Sequence, residues 1–212
     1  MKSEMPYLGV PAPKVREVCR DVFASHPFSD ARSWRSGVLA LWRRAEYREE
    51  RYAAIALSGH PKAKSFQTLD ALPMYEEMIV TGAWWDYVDD VAEYRIGGLL
   101  AAHPRPMRRT MLEWSRSPDM WKRRTSIICQ MSFRGSTDLD LLYRCIQPSL
   151  SSKEFFLRKA IGWALRQIAW HDPDEVLRYV AEHESELSPL SRREALKNVE
   201  GLKAGTLRRR AR

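Results

Sequence analysis

The sequence predicts an all-α fold in which helix pairs repeat along a solenoid. Four tryptophans, Trp42, Trp84, Trp121 and Trp163, recur roughly every 40 residues. Apolar residues follow the i, i+3, i+4 spacing of helices, while the alternating runs typical of strands are few. A helical pattern that returns at this period is typical of HEAT-like or armadillo-like arrays, in which each helix pair buries its apolar face against its neighbours.

Apolar periodicity gives the order of the helices. They are predicted at 13–24, 30–43, 46–59, 69–81, 84–101, 105–116, 118–133, 138–147, 152–170, 173–185 and 189–200. Short links of about two to six residues imply antiparallel neighbours stacked in sequence, and no linker is long enough to separate two domains. We therefore predict a single HEAT-like repeat domain over residues 1–202.

Local signals support the boundaries of the later helices. Ser151 followed by Glu154 indicates a capping box ahead of the helix at 152–170. The helix at 189–200 is amphipathic and is interpreted as the cap of the array, which favours a monomer. Six prolines fall near helix starts or in loops, where the missing N–H costs little: Pro104, Pro106, Pro118, Pro148, Pro173 and Pro189.

The composition is that of a folded protein of a reducing compartment. Of 212 residues, 44% are hydrophobic and 29% are charged. No apolar run approaches the roughly 18 residues of a membrane span, and the N-terminus has no hydrophobic signal core. The three cysteines are odd in number and widely spaced, so a disulfide framework is not expected. We predict a cytoplasmic protein without a membrane partner.

The charge pattern predicts an anionic partner. The net charge is +8, and five of the positive charges lie in the segment 203–212, which we expect to be a disordered, solubilising tail. A second cluster, at 105–124, has seven basic residues against Glu113 and Asp119. Because this cluster lies inside the predicted domain, it indicates a basic surface on the folded body.

Several kinds of site are excluded by the sequence. There is no CxxC pair, no HExxH, no phosphate-binding GxxxxGK[ST] and no GxGxxG after a strand. The five histidines have no ligand-like spacing. We expect no metal and no nucleotide cofactor.

The segment WWDYVDD (84–90) is the first candidate site. Helical spacing places Trp85 and Asp89 on one face, at i and i+4. A carboxylate beside an indole can stabilise a cation; the alternative is that Asp89 belongs to an ordinary acidic helix surface. The neighbouring face, with Trp84, Val88 and Val91, is predicted to be buried. The other acids are expected to be solvated: Asp86, Asp90 and Glu93.

The predicted helix at 152–170 carries two faces. One is apolar and must be core: Leu157, Ile161, Ala164, Leu165 and Ile168. The other mixes large aromatics with cations: Phe156, Lys159, Trp163, Arg166 and Trp170. This second face is either a ligand-binding stripe or a half-buried packing stripe. Gly162 allows close approach of another helix or of a ligand backbone.

These segments resemble a known family. WWDYVDDVA, WKRRTSIICQ and SSKEFFLRKAIGWALRQIA followed by LSPLSRREALK are similar to the HEAT-like-repeat alkylpurine DNA glycosylases of the AlkD type, over roughly residues 7 to 200. By resemblance, the catalytic aspartate falls on Asp89 and its partner tryptophan on Trp85. The lesion-side arginine falls on Arg124 and the second stacking tryptophan on Trp163.

The resemblance implies a monofunctional glycosylase that hydrolyses the N-glycosidic bond of cationic alkylated purines in duplex DNA, with the base still stacked, as a step of base excision repair. The substrates implied are 3-methyladenine, 7-methylguanine and bulkier adducts. Phosphate binding is expected to be independent of sequence, and the protein to be nucleoid-associated when bound. The candidate phosphate contacts are Lys122, Arg123, Lys153, Arg158, Lys159 and Arg166.

One departure bears on the lesion cleft. The family has a further N-terminal helix, which contributes an aromatic residue, before the segment that corresponds to PYLGVPAP (6–13). Five residues precede that segment here, and none is aromatic. The expectation is either a start further upstream or a more open cleft.

Two other functions stay open at the level of sequence. HEAT-like arrays commonly bind proteins, so the first alternative is a non-catalytic interaction scaffold. The second is a HEAT-like protein that binds damaged or branched DNA without cutting the glycosidic bond.

Overall fold

The computed structural model describes residues 4–207, and every regular element in that range is a helix. The predicted all-α helical-repeat fold class is confirmed. The α-helices are α1 (Ala12–Ser25), α2 (Ala31–Arg44), α3 (Arg48–Ser58), α4 (Leu72–Gly82), α5 (Trp85–Asp90), α6 (Gly97–Ala102), α7 (Pro104–Trp114), α8 (Met120–Ile128), α9 (Leu139–Ile146), α10 (Phe155–Ala169), α11 (Pro173–Glu182), α12 (Pro189–Leu196) and α13 (Val199–Lys203).

Tighter and wider helical turns join some of these elements. A π-helical turn, Val91–Ile96, lies between α5 and α6, so the predicted helix at 84–101 is not uniformly α-helical. The 3-10 helices are Pro61–Phe66, Leu69–Ala71, Arg134–Ser136 and Gln147–Ser149.

The chain divides into two compact units, Met1–Leu99 and Leu100–Arg212. The single domain predicted over 1–202 stays a prediction. Within the predicted tail, Lys203 is the last residue of α13 and 204–207 form turns and bends, while 208–212 lie outside the described residues.

In the first unit, tryptophans of α2 form the centre of the core. Trp34 and Trp42 are fully buried, and their indole N–H groups donate to Leu57 O at 3.2 Å and to Thr81 Oγ1 at 2.8 Å. α2 approaches α4 closely because Gly82 has no side chain: a Cβ there would lie 3.0 Å from the Trp42 ring. Apolar burial together with satisfied indole donors fixes this packing.

In the second unit, α10 is the central helix and packs against α8, α11 and α12. Its predicted core face is confirmed, since Leu157, Ile161 and Leu165 are fully buried. The predicted capping box is wrong. Glu154 is itself the N-cap residue, and the Ser152 hydroxyl accepts from its backbone N–H at 3.2 Å.

Candidate functional site

α5 carries Trp85 and Asp89, separated by one helical turn. Val88 and the following Val91 are fully buried, as predicted, and they hold the helix against the core. Trp85 is 46% exposed and Asp89 is half-buried. This exposure leaves the indole ring accessible to a ligand.

Asp86 is not solvated, contrary to the sequence prediction. Its Oδ2 accepts hydrogen bonds from the Tyr52 hydroxyl at 2.6 Å and from the Arg48 guanidinium. Burial, followed by the hydrogen bond to Asp86, raises the pKa of Tyr52. The tyrosine therefore stays a donor at neutral pH, and Asp86 links α5 to α3.

Asp90 also departs from the solvated position predicted for it. The π turn explains the difference. Its backbone N–H groups donate to the carbonyl five residues earlier, as Gly97 N–H does to Ala92 O. Side chains five residues apart therefore lie near each other. Arg95 NH2 thereby comes within 3.6 Å of Asp90 Oδ1. Burial nevertheless raises the pKa of Asp90, because Arg95 and Arg16 offset it only in part.

Glu93, the third of these acids, is half-buried rather than solvated. Burial raises the pKa of its carboxyl, and the nearby Asp90 and Asp89 add to the rise while Tyr94 opposes it. All three acids predicted to be solvated therefore lie in partly buried surroundings.

Arg95 is held against the end of α3. Its Nε donates to Ser58 Oγ at 3.1 Å, and its NH2 donates to Ile55 O at 3.1 Å. The guanidinium occupies the space above Gly59, where a Cβ would lie 2.0 Å from Arg95 Cζ. Gly59 is thus required for this close approach, and Arg95 ties the segment after Asp89 to α3.

A cavity of about 240 Å³ opens beside these groups in the first unit. Apolar side chains of α1 and α3 line one part of it, and Asp86, Asp90 and Arg95 line another. This cavity was not predicted from the sequence, because a helical wheel of 3.6 residues per turn does not bring positions 90 and 95 together.

In the second unit, Arg124 is buried, with only 3% of its surface exposed. Its NH1 donates to Phe156 O at 2.6 Å, and its Cζ lies 5.9 Å from the centre of the Phe156 ring. Trp121 also packs on Phe156, with 4.9 Å between ring centres. The arginine therefore joins α8 to the start of α10.

The aromatic and basic side chains of the α10 stripe are all half-buried: Phe156, Lys159, Trp163, Arg166 and the following Trp170. Lys159 Nζ lies 2.8 Å from Glu194 Oε1, and Arg166 NH1 lies 3.1 Å from Glu194 Oε2. Both cations of the stripe are thus paired with one carboxylate of α12.

Gly162 is explained by packing between helices rather than by a ligand. A Cβ at this position would lie 2.6 Å from both Glu194 Cβ and Ser191 O. The Ser191 hydroxyl also donates to Arg158 O at 2.9 Å, so α12 contacts α10 directly here.

The other predicted phosphate contacts differ in exposure. Lys153 is exposed, Arg123 and Arg158 are half-buried, and Lys122 Nζ lies 5.1 Å from the centre of the Trp114 ring. In the 105–124 cluster, Arg108 is paired with Asp138 and Asp140, which reduces the basic surface left there.

The four residues assigned catalytic roles thus fall in two pairs. Trp85 and Asp89 lie on α5 of the first unit, while Arg124 and Trp163 lie on α8 and α10 of the second unit. Within residues 4–207, no three His, Cys, Asp or Glu side chains are grouped so that they could hold a metal ion. None of the helices described is long and apolar enough to cross a membrane. All three cysteines are buried and unbridged.

Comparisons with known proteins assign the chain to a family. Residues 1–199 match the family model described as DNA alkylation repair enzyme. Among solved structures, the chain is similar to a "Predicted DNA alkylation repair enzyme from Enterococcus faecalis", with 27% sequence identity and a TM-score of 0.80. The similarity covers 90% of this chain and 87% of that chain. No curated protein sequence matches.

Proposed function

Because the chain belongs to the DNA alkylation repair enzyme family, we propose that it is a monofunctional DNA glycosylase that hydrolyses the N-glycosidic bond of cationic alkylated purines in duplex DNA. A role in the repair of alkylated DNA follows from the family itself. The finer proposal rests chiefly on one observation, the exposed Trp85 one helical turn from Asp89 on a helix whose opposite face is fully buried.

Cleavage of the glycosidic bond needs little catalytic assistance from the protein at the leaving purine. Alkylation at N3 or N7 gives the purine a positive charge, so it leaves without a general acid. The sugar develops oxocarbenium character, as in other glycoside cleavages. Asp89 stabilises that charge and positions the attacking water, since a fixed carboxylate acts strongly where positive charge develops.

The remaining residues hold the DNA. Trp85 and Trp163 contact the deoxyribose and backbone through their apolar faces, and Arg124 binds a phosphate near the lesion. We propose that the base stays stacked during cleavage, so that adducts larger than a methyl group are also accepted.

The product of this reaction is an abasic site without strand cleavage. Strand cleavage by a bifunctional glycosylase needs an amine that forms a Schiff base with the sugar. The sequences of α3, α4, α5 and the π turn contain arginines but no lysine. Supply of such an amine from these four elements is therefore not expected.

The test is release of free base from methylated duplex DNA under single-turnover conditions, with enzyme in excess. We expect release of 7-methylguanine and 3-methyladenine, and a strand that breaks only after treatment that cleaves abasic sites. Salt-sensitive duplex binding without base release would instead support a protein that recognises damaged or branched DNA. Absence of any salt-sensitive binding by fluorescence anisotropy would support the interaction scaffold.

A further inference from the structure

Two residues that line the cavity in the first unit carry buried polar atoms that lack partners. Asp86 Oδ1 and Asp90 Oδ1 are both buried and accept no hydrogen bond. Asp90 Oδ1 lies 3.6 Å from Arg95 NH2, which is an ion-pair distance and too long for a hydrogen bond. Buried acceptors without donors are uncommon in native proteins, and each one needs an explanation, such as an ordered water or a bound ligand.

The two carboxylates lie on the same side of α5. Asp86 and Asp90 are four residues apart, a spacing that places side chains on one helix face with about 5–6 Å between Cβ atoms. Both residues line the cavity. A ligand there approaches both carboxylates from one side of the helix.

The charges around the cavity favour a neutral ligand. Asp86 is paired with Arg48, and Asp90 is paired with Arg95. Because each carboxylate already faces an arginine, a further cation gains little. A neutral molecule with N–H donors satisfies the two free oxygens without disturbing either pair.

The other residues that line the cavity indicate the shape of the ligand and the polar groups on the side that faces away from the carboxylates. Ala12, Ile55 and Ala56 present apolar surface to the cavity, and Arg16 and Arg95 also line it. A flat heterocycle packs on the apolar walls, and a carbonyl on its far edge accepts from a guanidinium. The volume of about 240 Å³ admits one nucleobase and excludes a duplex.

We propose that this cavity binds a free guanine-type base, the neutral product that the proposed glycosylase releases. In that pose the N1–H and N2–H groups donate to Asp86 Oδ1 and Asp90 Oδ1, and O6 accepts from Arg95 or Arg16. The identity of the base rests on the proposed function, while the donor and acceptor pattern rests on the cavity. An adenine-type base has one amino group and no carbonyl, so it fits less well.

The proposal is tested by equilibrium dialysis of the full chain against 7-methylguanine, with 3-methyladenine and guanosine monophosphate as comparison ligands. We expect 7-methylguanine to bind at concentrations below about 1 mM. 3-Methyladenine should bind more weakly because it lacks the carbonyl, and the nucleotide because its sugar and phosphate exceed the cavity.

Two variants probe the site in different ways. Asp90→Asn replaces a charged acceptor, and Ala56→Leu fills the cavity without changing charge. Asp90→Asn should weaken 7-methylguanine binding about ten-fold or more, the factor expected when a hydrogen bond to a charged group is lost. Ala56→Leu should weaken it about as much, because the larger side chain occupies the space of the ligand. Asp70→Asn, a change to an exposed acid of the same unit, should leave binding unchanged. Circular dichroism melting shows whether each variant is folded.

The outcomes separate the two proposals. Failure of the wild-type chain to retain 7-methylguanine means that only water fills the cavity, and equal retention by all variants places the base elsewhere. Either result overturns the cavity proposal even if the enzyme releases base from DNA. Binding that depends on Asp90 and Ala56 supports the cavity even if no base release is detected, in which case the proposed function alone fails.

Discussion

Asp89 lies in the sequence between two acids that are paired with arginines. Asp86 on one side is bonded to Arg48 and Tyr52, and Asp90 on the other is paired with Arg95. Changing either neighbour therefore disturbs links between α5 and α3. Only the substitution at Asp89 tests the proposed chemistry directly.

We expect Asp89→Asn to lower the single-turnover rate of base release by roughly 10²-fold or more, the order seen when one preorganised electrostatic partner is lost. DNA affinity should hold or rise slightly, because a carboxylate near phosphates is removed. Asp70→Asn makes the same change at an exposed position and should leave the rate within a few-fold. Equal losses in both variants would mean that the effect is one of net charge, and no loss at Asp89 would remove it from the mechanism.

Arg124 combines burial with a proposed contact to phosphate. Arg124→Ala removes the hydrogen bond from the buried guanidinium to Phe156 O and should cost about 1–3 kcal/mol of unfolding free energy. It should also weaken DNA binding and flatten the salt dependence by about one phosphate contact. Urea unfolding measures the first effect and anisotropy titrations at several salt concentrations measure the second. A stability loss with an unchanged salt slope would show that Arg124 serves packing alone.

At the scale of helices, the contact between α10 and α12 depends on Gly162. Gly162→Ala places a Cβ against Ser191 O and Glu194 Cβ, so the helices must separate, and we expect a loss of about 1–3 kcal/mol in urea unfolding. The matched control is Gly98→Ala in α6, where the added Cβ has no atom within 4 Å apart from its chain neighbours and the backbone of its own helix. This control should be neutral or stabilising by up to about 1 kcal/mol. Similar values for the two variants would refute the packing explanation.

Glu194 limits how far the two cations of α10, Lys159 and Arg166, are available to bind phosphate. Glu194→Gln keeps the shape of the side chain and releases Lys159 and Arg166 from their ion pairs. If these cations bind DNA, affinity at low salt should rise and the salt dependence should steepen. Glu200→Gln, an exposed position in α13, removes the same charge and serves as the control. An equal rise in both variants would leave Lys159 and Arg166 as packing residues.

The helices themselves were largely predictable from the sequence, and the exceptions have physical causes. Apolar spacing identified α2, α7 and α10 to within a few residues, because their buried faces follow 3.6 residues per turn. The π turn after α5 was missed, since its period differs and its stability comes from the tertiary contacts of Arg95. The predictions for Asp86 and Asp90 failed for the same reason: their partners lie on other turns or other helices.

At the scale of the whole molecule, carboxylates whose pKa values are shifted in opposite directions should determine how stability changes at acid pH. Glu49 and Glu194 have pKa values below the usual one. For Glu194 the main cause is the hydrogen bond from Lys159, while for Glu49 burial raises the pKa but backbone N–H groups outweigh it. These groups contribute stability above the unfolded-state pKa, and that stability is lost as the pH falls through the folded-state pKa. Burial raises the pKa of Asp90 and Glu93. Protonation of these two groups as the pH falls therefore favours the folded state.

We therefore expect the melting temperature to be nearly constant from pH 7 to about 5 and to fall below about pH 4.5, where ordinary carboxyl groups begin to protonate. Glu49→Gln should melt at a lower temperature at pH 7 and show a weaker acid dependence, because the charge that the backbone N–H groups bind is already gone. Melting curves followed by circular dichroism measure both quantities. A parallel acid response in the variant would contradict the role given to Glu49.

The contact made by Glu49 also has a consequence for synthesis on the ribosome. Its carboxylate accepts the backbone N–H groups of Leu8, Gly9 and Val10 at 2.9–3.1 Å, across about 40 residues of sequence. Residues 8–10 leave the ribosome well before Glu49 and cannot be fixed until it follows and α3 has formed. Residues 8–10 are therefore locked in place only after α1, α2 and α3, which follow them in the chain, have been translated.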